Sequence, residues 1–253
     1  PDGGCAGGCP VVIYLHSGDF TKGSKDAGSY YSKVVTARGY ALVSPSYRLA
    51  GDKPALSPST LGFIENAGVV PELSALHKNS QQGWTLKAYF AAIEDLHRAL
   101  TWLKAEGESQ GLDTSQVVLW GSSAGAITAL NVGYGSDQMG RKPAIPIAGV
   151  VDFWGALGPV FSLDAGEPPV FITHGERDTV VDFADSTRLA AAANSKDVYA
   201  VFYPVPKIGH GVPVSEKFQR TSILAQAMDF IDRALFDPET IWAGCYTSKT
   251  ALC

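Results

Sequence analysis

The pentapeptide Gly121-Ser122-Ser123-Ala124-Gly125 has the G-x-S-x-G spacing of a serine nucleophile between two glycines. A serine hydroxyl attacks poorly unless it stands clear of the backbone and faces a base. A sharp strand-to-helix turn achieves this, and the glycines let neighbouring backbone pass closely around a strained central residue. The pattern centres on Ser123, with Ser122 beside it as a candidate substrate contact. The plainer alternative is a Gly/Ser turn in which Ser122 or Ser123 caps the following helix. An acid and a base then follow in the order such a nucleophile requires. Asp178 lies in His174-Gly175-Glu176-Arg177-Asp178 after the apolar run PVFIT, and His210 lies in Lys207-Ile208-Gly209-His210-Gly211 after VYAVFYPV. In acyl transfer His210 would take the proton of Ser123, while Asp178 would hold the imidazole tautomer and stabilise the imidazolium.

The developing oxyanion of such a reaction needs backbone N–H donors. One candidate is the N–H of Ala124; others are Gly18 and Asp19 in the segment His16-Ser17-Gly18-Asp19-Phe20. An ordinary polar turn is the alternative there. Phe20 and Trp154 are candidate substrate contacts, and Trp154 is equally well read as core packing. Of the other histidines, His97 falls inside a long helix, His77 has no partner in view, and His174 reads as a structural hydrogen-bonder. Glu176 and Asp182 compete with Asp178 as the acid.

These residues need a scaffold that gathers loops at one edge. Val11–Leu15, Tyr40–Tyr47, Gln116–Trp120, Ile147–Phe153, Val170–Thr173 and Val198–Tyr203 are short apolar runs that fit strands buried on both faces. Between them fall helical patterns over Tyr30–Arg38, Trp84–Ala105, Ala124–Asn131 and Phe183–Asn194, and Glu216–Leu235 closes the series. Alternation of this kind predicts an α/β fold with a parallel sheet of about six strands covered on both sides. Ligand and catalytic groups of open α/β sheets gather at the carboxyl ends of the strands, where Ser123, Asp178 and His210 all fall. One domain is expected over residues 1–253, with an irregular insertion at 50–83 and a tail at 236–253. The connection Trp154–Pro169 is too short for a large lid, which predicts an open cleft, with partial cover by the insertion 50–83 as the alternative.

Composition excludes several classes. The chain is 253 residues long, 45% hydrophobic and 18% charged, as suits a globular core. Its net charge of −5 and scattered basic residues argue against nucleic acid. No apolar run reaches the roughly 18 residues that cross a bilayer, so no integral membrane segment is expected. The segment Pro1–Pro10 lacks the regions of a signal peptide, so a leader, had there been one, is already gone. Gly135–Lys142 faintly echoes a phosphate loop but has Arg-Lys where Lys-Ser/Thr is needed. No cofactor and no metal is implied. The four cysteines, Cys5, Cys9, Cys245 and Cys253, lie near the ends and read as disulfides, with Cys5–Cys9 and Cys245–Cys253 the favoured pairing. A cross-link between the termini would also fit. Disulfides imply an oxidising compartment, hence a secreted or periplasmic protein.

The segment HSGDF resembles the HGGGF/W oxyanion segment of esterases and lipases related to hormone-sensitive lipase. GYALVSPSYRLA resembles their strand ending in YRLA, and IEDLHRALTWLKAEGESQGLDTSQVVLWGSSAG resembles their stretch leading into the nucleophile. The arrangement is most similar to the group that includes bacterial feruloyl and acetyl-xylan esterases, over roughly residues 10–235. The resemblance implies an α/β-hydrolase fold and hydrolysis of carboxylic esters through an acyl-enzyme. Ser17 and Asp19 depart from it by replacing glycines. It also implies two antiparallel strands upstream of Pro1, which are expected to be absent or to have been removed. The substrate expected is an ester, polymeric in one version, such as feruloyl or acetyl esters of plant cell wall. A polyester or polyhydroxyalkanoate hydrolase is the nearest alternative. A peptidase is weaker, and a non-catalytic hydrolase-fold binding protein is the alternative of another class.

Overall fold

The structure, a computed structural model, describes residue 5 and residues 7–67, 81–218 and 220–237. Six strands form one sheet: β1 (Cys9–Leu15), β2 (Ala41–Val43), β3 (Leu112–Ser122), β4 (Ile147–Phe153), β5 (Val170–Gly175) and β6 (Ala200–Val205), in the order β2-β1-β3-β4-β5-β6. Every pairing in it is parallel. Buried on both faces, the strands alternate between two cores. Val11, Ile13 and Leu15 of β1 join Val117 and Leu119 of β3 on one side. Val12, Tyr14, Val118 and Trp120 point to the other.

Helices α1 (Ser29–Ala37), α2 (Pro58–Asn66), α3 (Gln81–Glu106), α4 (Ala124–Gly135), α5 (Phe183–Ser195) and α6 (Ile223–Phe236) flank the sheet. The first core packs against α3, α4 and α5, the second against α1 and α6. In α3 the stripe Ala88, Ala92, Leu96, Leu100 and Leu103 is fully buried or nearly so, as its helical spacing predicts. Among the described residues no helix is long and apolar enough to cross a membrane.

Several predicted elements are corrected. The strand expected over Tyr40–Tyr47 is only Ala41–Val43, because it lies at the sheet edge and Pro45 has no N–H for a ladder. The segment Glu216–Leu235 is a small hairpin, β7 (Lys217–Phe218) with β8 (Thr221–Ser222), followed by α6. Ser222 starts that helix by accepting a hydrogen bond from the Ala225 N–H at 3.2 Å. The insertion 50–83 is not irregular throughout, since it contains α2. Ser57 caps α2, Pro58 takes its first turn, and the buried Glu94 of α3 accepts from the Ser57 N–H at 2.9 Å and the Thr60 hydroxyl at 2.6 Å. Arg48 and Arg141 lie beside the same carboxylate. Burial opposes charge on Glu94, but these donors outweigh it and hold the carboxyl down at about 2.

Cys5 and Cys9 are joined in a disulfide that ties the entry segment to the start of β1. Cys9 is itself buried, at the margin of the core rather than outside it. The predicted partners Cys245 and Cys253, like His77, lie outside the described residues.

Candidate active site

The chain runs from β1 outward to β2 and returns on the other side of β1 as β3. That reversal is a switch point, where loops from neighbouring strands diverge and leave a crevice at their carboxyl ends. The loop after β1 carries His16–Phe20, and the turn after β3 carries Ser123.

Ser123 has φ 53° and ψ −120°, a left-handed backbone that costs a non-glycine residue of order 1–3 kcal/mol. The turn survives because its surroundings leave no alternative. A Cβ on Gly121 would stand 2.2 Å from the Ala126 nitrogen, and one on Gly125 would stand 2.1 Å from the Leu15 carbonyl oxygen. Both glycines are therefore required by close packing. Ser123 occupies the N-cap position of α4 but makes no capping hydrogen bond. Its hydroxyl lies 2.9 Å from His210 Nε2 instead, which decides against the capping alternative. Ser122 turns away: its hydroxyl accepts from Tyr14 at 3.3 Å in the opposite core.

Asp178 and His210 come from the loops after β5 and β6, and those loops are built as one piece. The Glu176 N–H donates to the Val205 carbonyl at 3.0 Å and the Arg177 N–H to Ile208 at 2.8 Å. Gly175 makes the contact possible, because a Cβ there would meet the Gly209 carbonyl at 2.4 Å. Across this junction His210 Nδ1 lies 2.7 Å from Asp178 Oδ2. Oδ1 accepts the N–H groups of Val180 and Val181 at 2.8 and 3.0 Å. Burial raises the pKa of Asp178, but the backbone donors and His210 outweigh it, leaving it below the ordinary value and the group a carboxylate. With Nδ1–H given to Asp178, His210 presents a bare Nε2 to the Ser123 hydroxyl. The competing acids do other work: Glu176 is exposed, and Asp182 caps α5 through the Ala184 N–H at 3.0 Å.

The loop after β1 is held against this turn. The His16 ring stacks on Tyr47 at 4.1 Å, and the Tyr47 hydroxyl donates to the His16 carbonyl at 2.7 Å. Gly18 (φ 126°) is followed by Asp19 (φ 55°) and Phe20 (φ 56°), an unusual run of positive φ that reverses the chain. The Gly18 carbonyl takes the Thr21 N–H at 2.9 Å. Ala124 opens α4, so its N–H has no acceptor within the helix and is free to donate to an oxyanion. Phe20 is 6% exposed and packs edge-on to Tyr89 at 5.5 Å. Trp154 is 9% exposed and packs on Phe153 in the second core, so core packing is its first role.

Sequence reasoning missed two residues. Asp152 on β4 is completely buried and accepts the Gly155 N–H at 2.7 Å, which secures the turn after Trp154. Burial raises its pKa to about 7; the Gly155 bond works against this and Asp185 adds to it. Ser186 on α5 is the other, bonded to His174. His174 itself is indeed a buried hydrogen-bonder rather than a base. The His97 side chain reaches the Ser136 hydroxyl at 3.1 Å, and burial first, then Arg141, lowers its pKa to about 4. Among the described residues no group of three or more His, Cys, Asp or Glu could hold a metal ion.

The BD-FAE family model matches residues 83–158, which include Ser123, and the Prolyl oligopeptidase family model matches residues 151–237, which include Asp178 and His210. Esterase LipI of Mycobacterium tuberculosis is 28% identical over 54% of this chain, and Esterase LipQ of the same organism is 23% identical over 56%. The chain covers 32% and 43% of the length of those two relatives. The structure of Thermogutta terrifontis esterase 2 is similar with a TM-score of 0.65 at 16% identity, over 90% of this chain and 84% of that one. A bifunctional GH43-CE protein of Bacteroides eggerthii matches with a TM-score of 0.65 at 19% identity, over 90% of this chain and 32% of that one. The fold is that of the α/β hydrolases.

Proposed function

We propose that this α/β hydrolase is a serine carboxylesterase that works through an acyl-enzyme. One observation carries the reading: Ser123, His210 and Asp178 form an unbroken relay at 2.9 and 2.7 Å, with the nucleophile on a strained turn beside an uncommitted helix N-terminus. In the proposed reaction His210 Nε2 accepts the Ser123 proton as Oγ attacks the ester carbonyl. The Ala124 N–H and the N–H groups of Gly18 and Asp19 receive the oxyanion. The imidazolium returns its proton to the departing alcohol, and water repeats the sequence to release the acid.

For the substrate, feruloyl or acetyl esters of plant cell wall are the proposed class. The resemblance of HSGDF and the stretch before Ser123 to feruloyl and acetyl-xylan esterases supports it. Thermogutta terrifontis esterase 2, of like fold, has been observed with butyrate bound, which supports a short acyl group. The Cys5–Cys9 disulfide supports an oxidising, extracellular or periplasmic setting. The match of residues 151–237 to the Prolyl oligopeptidase family favours a peptidase as a second reading.

A substrate panel tests this: p-nitrophenyl acetate, butyrate and decanoate, methyl ferulate, acetylated xylan, an aromatic polyester film and a prolyl p-nitroanilide. The proposal expects serine-dependent release from the acetyl, butyryl or feruloyl esters. Preference for the film would move the assignment to a polyester hydrolase, and preference for the anilide to a peptidase. A folded protein inert on the whole panel would contradict it.

A further inference from the structure

The acid of the relay is held by a second histidine. Asp178 Oδ2 lies 2.7 Å from His210 Nδ1 and also 3.0 Å from His174 Nε2. His174 Nε2 is in turn 3.1 Å from the Val181 carbonyl oxygen. A carboxylate and a carbonyl are both acceptors, so the His174 proton must reside on Nε2. On the far side of the ring, Nδ1 lies 2.7 Å from the Ser186 hydroxyl. With Nδ1 bare, Ser186 donates to it, and this fixes the tautomer. His174 and Ser186 are both 0% exposed, as is the Asp178 side chain. The chain of hydrogen bonds thus runs Ser186, His174, Asp178, His210, Ser123, linking α5, the loops after β5 and β6, and the turn after β3.

We propose that His174, oriented by Ser186, is a positioning residue: its Nε2–H shares Asp178 Oδ2 with His210 and fixes the carboxylate that aims the base. The inference rests on the esterase reading of the same site. Two further considerations support it. Burial lowers the His174 pKa, against the pull of Asp178, so the ring stays neutral near pH 7. A neutral donor steadies the carboxylate without placing a second positive charge beside the imidazolium that His210 becomes.

The titratable groups that face His174 are Asp178 and His210. Those on the elements around it are Asp182 and Asp185 at the start of α5, the latter paired with Arg188, and Asp152 on β4. None of these competes for Oδ2. Without His174, Oδ2 would be held by His210 alone. The carboxylate would then be less well aimed, and its undivided charge would hold the imidazolium more strongly.

The test compares His174→Leu, which cannot donate, with His174→Gln, whose amide N–H can replace Nε2–H. Kinetics on p-nitrophenyl butyrate would be followed across pH, with thermal unfolding as the control for folding. Removing one charge-assisted hydrogen bond predicts a loss of about 10–100-fold for the Leu variant. The loss should fall on kcat with KM little changed, and the acid limb of kcat/KM should move to higher pH. The Gln variant should recover most of the rate and the wild-type limb. A folded Leu variant with the wild-type kcat and pH profile would overturn the proposal. So would equal impairment of both variants with an unmoved profile, which would mean packing alone.

If the Leu variant does not fold, Ser186→Ala leaves the ring in place and removes the donor that orients it through Nδ1. A smaller loss in the same direction would support the proposal, and an unchanged profile would refute it. Wild-type turnover that Ser123→Ala abolishes tests the esterase reading separately. Should no ester be turned over, the low-field His210 Nδ1–H proton resonance still reads the bond. It should shift in the Leu variant and return in the Gln variant; no shift refutes the proposal.

Discussion

Each catalytic candidate owes its state to a few named neighbours. Asp178 is a carboxylate because donors occupy both its oxygens, whereas Asp152, more deeply buried, has one N–H donor and a pKa of about 7. That contrast has a consequence for stability. The folded protein keeps the Asp152 proton to about pH 7, while the unfolded chain gives it up near the ordinary value of 3.8. The native state therefore binds more protons across this window, and stability falls as pH rises from about 4 to about 7, by at most ~4 kcal/mol. Asp152→Asn keeps the acceptor for Gly155 without this cost. Urea unfolding at pH 5 and pH 8 should show the variant gaining on wild type as pH rises; parallel changes in the two proteins would contradict the assignment. At this scale the sequence was informative about Ser123, Asp178 and His210, since a nucleophile, acid and base in chain order each follow an apolar run. It could not reveal Ser186 or Asp152. Their contacts depend on side-chain directions that exist only once α5 and β4 are packed.

The elements position the site through close backbone contacts more than through side chains. Gly175 lets the loop after β5 lie on the loop after β6, and Gly125 lets α4 begin against β1. Gly175→Ala would force a methyl group to 2.4 Å from the Gly209 carbonyl, so the loop carrying His210 must shift. Such overpacking costs about 1–3 kcal/mol, and a displacement near 1 Å at a catalytic base costs on the order of 100-fold in rate. Gly62→Ala in α2, with nothing within 4 Å of the new carbon and no left-handed backbone to strain, is the control. Rates for the two variants on one ester, with their unfolding midpoints, would check this; equal and small effects would show that the junction tolerates movement. Element types were legible from apolar runs and helical spacing. The start of α2 was marked in the sequence by Ser57-Pro58, a cap followed by a first-turn proline. It was obscured by the Ser, Pro and Gly content around it, and its anchor on Glu94 comes from a helix distant in the chain.

At the scale of the molecule, the sheet order explains why the candidate site lies at one edge. Reversal of the chain between β2 and β3 brings the carboxyl ends of β1 and β3 side by side, and β5 and β6 add the acid and base loops on the same edge. The other end of β1 is secured by the Cys5–Cys9 disulfide. A bridge across so short a loop contributes only about 2 kcal/mol, and it lies at the amino end of β1, away from the catalytic edge. Reduction should lower the melting temperature by a few degrees and leave kcat unchanged; a parallel loss of activity would show that the entry segment supports the site.

The most direct test of the account is the pre-steady-state release of p-nitrophenol from p-nitrophenyl butyrate by wild type and Ser123→Ala. An acyl-enzyme on Ser123 predicts a burst approaching one equivalent per chain wherever deacylation is slower than acylation. The folded alanine variant should show no burst and a turnover lower by several orders of magnitude. Turnover by Ser123→Ala close to that of wild type would contradict the assignment of Ser123 as the nucleophile.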